Sequence, residues 1–175
     1  KISAFDTSPT ASAITAIRSM SLTRAAHTST MLQNGMVLIA GGFANNQNSL
    51  ASAEVFDPVQ QAFASTGNMN ESRVGHSATL LPNGKVLIAG GYNGNYLASA
   101  ELYDPVTRTF SPTKAMQMAR SGHVAVRLPS GKVLLAGGVG AEGEDEDVAL
   151  ELEQLLVRDP LPRRRPSERA VLGHM

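Results

Sequence analysis

The chain has 175 residues, 42% of them apolar, no Cys, no Trp, and 15 basic side chains against 15 acidic ones. That length suits one ordinary domain, the missing Cys removes disulfides, thiolate nucleophiles and Cys-ligated metal sites, and the balanced charge lacks the basic field that captures nucleic acid. No apolar run reaches the roughly eighteen residues of a membrane helix, and Lys1 opens no basic-then-apolar signal, so a soluble chain with no nucleic-acid or membrane partner is expected.

The even charge hides a break near Gly140. Residues 1–140 carry ten bases and six acids, whereas residues 141–175 carry five bases and nine acids, and all eight aromatics lie at or before Phe110. Two regions follow: a repeat region, 1–140, and a non-repeat region, 141–175.

Residues 1–19 read as two strands when Phe5-Asp6 is matched to Phe56-Asp57 and Tyr103-Asp104, with a two-residue insertion before Met20. Residues 20–68 and 69–115 each read as a complete unit of four short strands, and residues 116–140 as the first two strands of another. The matching openings are MSLTRAAHTSTMLQNGMVLIAGG from Met20, MNESRVGHSATLLPNGKVLIAGG from Met69 and MQMARSGHVAVRLPSGKVLLAGG from Met116. In each, a β-branched or apolar strand after the His meets Asn34-Gly35, Asn83-Gly84 or Ser130-Gly131, dipeptides that supply the positive φ of a tight hairpin turn. The return strand is apolar on both faces, which for so short a run implies burial on both sides. The pairs Gly41/Gly42, Gly90/Gly91 and Gly137/Gly138 then end it, where a Cβ would forbid the φ value or the close backbone packing. A third strand holds Glu54-Val55-Phe56 or Glu101-Leu102-Tyr103 and stops at Asp-Pro, and the fourth runs through Phe63 or Phe110.

Beyond Gly140, the acidic run Glu144 to Asp147 precedes Val148, Leu152, Leu155 and Leu156, the stripe of a short amphipathic helix stopped at Asp159-Pro160. Arg163-Arg164-Arg165, between Pro162 and Pro166, makes a basic end. The acidic run lacks the spaced ligands and glycine of a calcium loop.

Four antiparallel strands recurring every 47–49 residues is the pattern of an all-β propeller built of four-stranded blades. The Arg-x-x-His openings, the Gly-Gly pairs, the Glu-x-Phe/Tyr-Asp-Pro strands and the aromatic six residues later resemble kelch repeats, in the bacterial form also seen in galactose-oxidase-like propellers, over roughly residues 16–140. Phe63 and Phe110 stand where that family usually has Trp. The resemblance implies a six- or seven-bladed ring, often closed by strands from both chain ends, and leans towards an extracellular or periplasmic setting. Three blades' worth of strands do not close such a ring. The expectation is therefore a partial ring or one completed by oligomerisation, with the open blade edges leading to self-association: a homodimer in which the N-terminal outer strands pair with residues 115–140 of a second copy.

The repeated Arg24, Arg73 and Arg120, with His27, His76 and His123, invite a metal or catalytic reading. Equivalent positions in successive blades lie too far apart to converge on one ion, so these residues read as structural, with Glu54 and Glu101 as partners for the arginines. The copper chemistry of galactose-oxidase-like enzymes needs a Cys crosslinked to Tyr and is excluded. No pair of carboxylates flanks a cleft, and Ser29 and Ser77 beside histidines occupy ordinary strand positions. No catalytic residue and no cofactor is expected. The loops after Gly-Gly are the variable surface, and Asn45, Asn46, Asn48, Tyr92, Asn93, Asn95 and Tyr96 are candidates to face a protein or glycan ligand. The expected function is a non-catalytic binding scaffold. The alternatives are the propeller portion of a secreted carbohydrate-active enzyme and an engineered half-propeller with no natural ligand.

Overall fold

The computed structural model describes residues 3–5, 14–16, 18–44 and 48–140. Among them are twelve strands: β1 (Ser3–Phe5), β2 (Ile14–Ala16), β3 (Thr28–Met31), β4 (Val37–Ala40), β5 (Ala53–Asp57), β6 (Ala62–Ser65), β7 (Ser77–Leu80), β8 (Val86–Ala89), β9 (Ala100–Asp104), β10 (Thr109–Thr113), β11 (Val124–Arg127) and β12 (Val133–Ala136). All pair antiparallel with their sequence neighbours, giving two four-stranded blades, β3-β4-β5-β6 and β7-β8-β9-β10, and two two-stranded ladders, β1-β2 and β11-β12. The described residues are thus all-β. The helix expected from Val148 to Leu156 lies outside them.

Registers repeat with the sequence. Leu38 faces Val55 across β4-β5, and Leu87 faces Leu102 across β8-β9. Phe56 pairs with Phe63 and Tyr103 with Phe110 on the outer ladders, and each pair of rings stacks at a tilt with centroids 4.8 Å apart. In β1-β2 the corresponding partners are Phe5 and Ile14.

Burial on both faces of the second strand follows from its place between blades. Val86 and Ile88 join Leu38, Ala40, Ala53, Val55 and Tyr103 in one core, between the first and second complete blades. Leu87 and Ala89, pointing the other way by the two-residue period of a strand, join Val133, Leu135 and Met116 in a second core, between the second complete blade and β11-β12. The first strands of successive blades are neighbours, with β7 beside both β3 and β11.

Hairpin turns join β3 to β4 and β7 to β8 at the Asn-Gly dipeptides. Only the glycine takes a positive φ, +82° at Gly35 and Gly84, while the Asn side chain accepts the N–H two residues on, Asn34 from Met36 and Asn83 from Lys85. Leu32 N–H donates to the Met36 carbonyl and Gly35 N–H to that of Leu32, which closes a three-residue loop with the glycine at its left-handed position. At the Asp-Pro turns, Asp57 and Asp104 accept the N–H of Val59 and Val106 at 2.8 and 2.9 Å, an Asx arrangement.

Candidate functional site

Each blade is anchored by a buried arginine. Arg73 donates to the carbonyls of Gly90 and Ser99 and meets Glu101 at 2.9 Å, while Glu101 also accepts the backbone N–H groups of Asn70 and Glu71. Arg24 makes the same set with Gly41, Ser52 and Glu54. These ion pairs therefore lie within one blade, tying its entry loop to its second and third strands. Burial would raise the Glu54 carboxyl, but the Ser21 N–H and hydroxyl and the Arg24 guanidinium outweigh it and hold the group below its usual value. Arg120 donates to the Gly137 carbonyl at 2.8 Å.

The histidines work between blades. His76 Nε2 lies 2.9 Å from Thr28 Oγ1 of the preceding blade, and His123 Nε2 lies 2.9 Å from Ser77 Oγ. Desolvation first, and then the neighbouring Arg73, lowers His76 to about 3; desolvation and Arg120 lower His123 to about 4. His27 is lowered by the same two causes, burial and Arg24. The imidazoles of His76 and His123 are consequently neutral at pH 7 and act as hydrogen-bonding wedges. Their hydroxyl partners, at the first position of the innermost strand, are absent from the sequence-derived motif because Thr28, Ser77 and Val124 do not look alike as letters.

Gly-Gly provides the seat for the wedge. Gly42 N–H and Gly91 N–H donate to the carbonyls of Arg73 and Arg120 in the following blade, and a Cβ at Gly41 would lie 2.6 Å from both the Arg73 carbonyl oxygen and the His76 ring. Gly41, Gly42, Gly90, Gly91, Gly137 and Gly138 all take positive φ.

The loops that follow form a cleft of about 530 Å³ between the two complete blades, lined by Phe43, Asn48, Ser49, Val74, Tyr92, Asn93 and Gly94. Phe43 and Tyr92 are the residues directly after Gly-Gly. Each bridges back to its own blade's entry loop, Phe43 to Ala25 and Tyr92 to Val74, which presents the two rings at corresponding places. Tyr96 braces Tyr92 edge-on, with centroids 5.3 Å apart. Ser49 Oγ and Ser72 Oγ share a hydrogen bond of 2.7 Å, and the Asn95 N–H reaches the Asn93 side chain at 3.4 Å, which curls the loop around Gly94.

Of the loop candidates, Asn48, Tyr92 and Asn93 line this cleft, Tyr96 packs against Tyr92, and Asn95 is exposed and does not line it. Asn45 and Asn46 lie outside the described residues. Phe43, Ser49, Val74 and Gly94 line it as well, and of these the equivalence of Phe43 and Tyr92 after Gly-Gly carries a sequence signal for the first. Among the described residues no charged side chain lines the cleft. Its chemistry is that of aromatic faces, amides and the hydroxyls of Ser49 and Tyr92.

A sequence-family description, "Kelch motif", matches residues 24–70 and 73–117, more than half of the chain. The chain belongs to the kelch-motif family. Among solved structures, a fungal alcohol oxidase described as a novel member of the AA5 family with catalytic diversity, in complex with copper, superposes with a TM-score of 0.58 at 21% identity. The overlap covers 68% of this kelch chain and 28% of the oxidase, so the chain spans little more than a quarter of that protein, and the likeness concerns the fold. No curated protein matches. The residues present do not fit a copper centre of the oxidase kind: the sequence has no Cys, and His76 and His123 are each committed to a separate blade junction. Among the described residues no group of three or more His, Asp or Glu could hold a metal ion.

Proposed function

We propose that the chain is a non-catalytic binding scaffold whose kelch blades hold an uncharged ligand in the cleft between the loops after Gly42 and Gly91. The observation that carries this reading is the composition of that cleft, in which Phe43 and Tyr92 offer ring surface while Asn48, Asn93 and Ser49 offer hydrogen bonds, with no charge among them. A rigid sheet with aromatic and amide groups on its connecting loops has the means to bind a flat, hydroxylated or amide-bearing surface at little conformational cost. A sugar residue or an uncharged peptide segment meets that description. Screening the chain against a glycan array and a panel of uncharged peptides tests it. Binding weakened about tenfold or more by Tyr92→Ala, with unchanged thermal unfolding, is the expected result; binding insensitive to Tyr92→Ala and Phe43→Ala contradicts it.

A second reading treats the blades as the propeller portion of a longer carbohydrate-active enzyme. The blade geometry shared with the copper alcohol oxidase supports that reading. Catalytic residues are then supplied by other parts of such a protein, and the cleft serves substrate positioning.

A further inference from the structure

The two junctions seen in the chain share one set of parts, and one copy of each part is left over at either end. Gly41 seats Arg73 and His76, and Gly90 seats Arg120 and His123. Gly137 keeps the same backbone form, φ +70° beside +65° and +64°, yet nothing among the described residues comes within 4 Å of where its Cβ would be. At the opposite end, Arg24 and His27 present the same wedge with no preceding blade in the described sheet order. The faces beside these parts are apolar and uncovered. Val124 and Val126 on β11 are 64% and 55% exposed, and Met31 on β3 is 68% exposed, whereas the equivalent Leu80 is packed into the first core. The edges match too. In the order β3-β4-β5-β6, the second strand pairs with the third; among the described residues no third strand lies beside β12 and no first and second strands lie beside β1-β2.

We infer that two copies of the 175-residue chain close on each other, with β1-β2 of one copy adding to β11-β12 of the other. The register follows from Val37 facing Phe56 and Leu38 facing Val55: Val133 faces Phe5 of the second copy, Leu134 faces Ala4, and Leu135 faces Ser3. Arg24 and His27 of the second copy then enter the seat at Gly137, and its first complete blade covers Val124 and Val126. Each copy contributes two complete blades and each of the two identical junctions makes one more, which gives a six-bladed ring, within the range in which propellers close. This junction differs from the internal ones in one respect. Val124 stands where Thr28 and Ser77 supply a hydroxyl, so His27 is received by an apolar side chain and the dimer is held by strand pairing and apolar contact.

The sequence has no Cys, so engineered cysteines report the register directly. Ala4→Cys and Leu134→Cys proteins, mixed under mild oxidation, are expected to crosslink, because directly opposite residues of an antiparallel pair lie within disulfide reach; Thr15→Cys, one strand further out, is expected not to crosslink with Leu134→Cys. Val126→Lys is exposed in the single copy, so it is expected to keep the far-ultraviolet spectrum and to give monomers where the parent is dimeric. Val124→Thr restores the missing hydroxyl and is expected to tighten the dimer about fivefold or more. Absence of the Ala4–Leu134 crosslink, equal crosslinking of the Thr15 control, or a Val126→Lys protein that remains dimeric overturns the inference.

Discussion

His76 Nε2 sits 2.9 Å from Thr28 Oγ1 across the junction of the two complete blades, and the pair is repeated by His123 and Ser77 one blade on. Each imidazole is buried and neutral, so the hydroxyl is the partner that offsets its desolvation. Thr28→Val keeps the shape and removes the hydroxyl. It is expected to destabilise the fold by about 1–3 kcal/mol, the cost of a buried polar atom left without a partner, as a lower urea midpoint with unchanged slope. An unchanged midpoint contradicts the wedge role.

The same histidines set a pH dependence. Their folded values, about 3 for His76 and about 4 for His123, lie below the ordinary 6.5, so below 6.5 the unfolded chain binds protons that the folded chain refuses. Their contribution is fully present above about pH 6.5 and is lost progressively as pH falls towards 4 and then 3. At pH 5 the shift at His76 corresponds to about 2 kcal/mol. Urea midpoints are expected to fall between pH 7 and pH 5, and His76→Gln is expected to flatten that fall. Equal slopes for parent and variant go against the assignment.

Arg73 is wholly buried and bonds Glu101 at 2.9 Å. Glu101→Leu leaves the buried guanidinium with only the exposed Glu71 carboxylate, 3.6 Å away, and is expected to cost about 3 kcal/mol, whereas the double change Arg73→Met with Glu101→Leu is expected to cost less than the single one. A double-mutant cycle by chemical denaturation measures this. Additive losses count against a coupled pair.

Gly90 and Gly137 have nearly the same φ, +64° and +70°, but among the described residues of one copy only Gly90 of the two has a neighbour at its Cβ position, the Arg120 carbonyl oxygen at 2.6 Å. In the Val126→Lys background, where the seat at Gly137 is open, Gly90→Ala is expected to lower the thermal midpoint more than Gly137→Ala, which there carries chiefly the left-handed strain of about 1 kcal/mol. With Val126→Lys present in both proteins, the difference isolates the internal junction. Equal losses contradict the seat described at Gly90.

Ala26 at φ +51° occupies the place of Gly75 and Gly122, at +60° and +71°. Ala26→Gly relieves a left-handed alanine and is expected to raise the thermal midpoint slightly, by the equivalent of up to about 1 kcal/mol. A lowered midpoint argues against strain at that turn.

The blade repeat was legible because its constraints are local: a two-residue strand period, a glycine at each sharp turn, and Gly-Gly wherever two backbones meet. Phe63 and Phe110 marked the outer ladder even without Trp. Less legible were contacts between repeats. Nothing in the letters assigns Ser77 to His123 rather than to its neighbour His76, because the pairing depends on how blades stack. The cleft was half visible for the same reason: Asn48, Tyr92 and Asn93 stand out as loop residues, while Val74 joins them only when the entry loop of one blade folds beside the exit loop of another. The turn type at Asn34-Gly35 depends on where the strand ladder ends, which composition does not set.

The most direct test of three blades' worth of strands with complementary open ends is the solution mass of the 175-residue chain by light scattering. A mass of about twice 18.4 kDa, falling to the single-chain value in Val126→Lys, is the expected result. A parent that stays at 18.4 kDa across the measured concentrations, or that grows into an open-ended series of larger species, contradicts it.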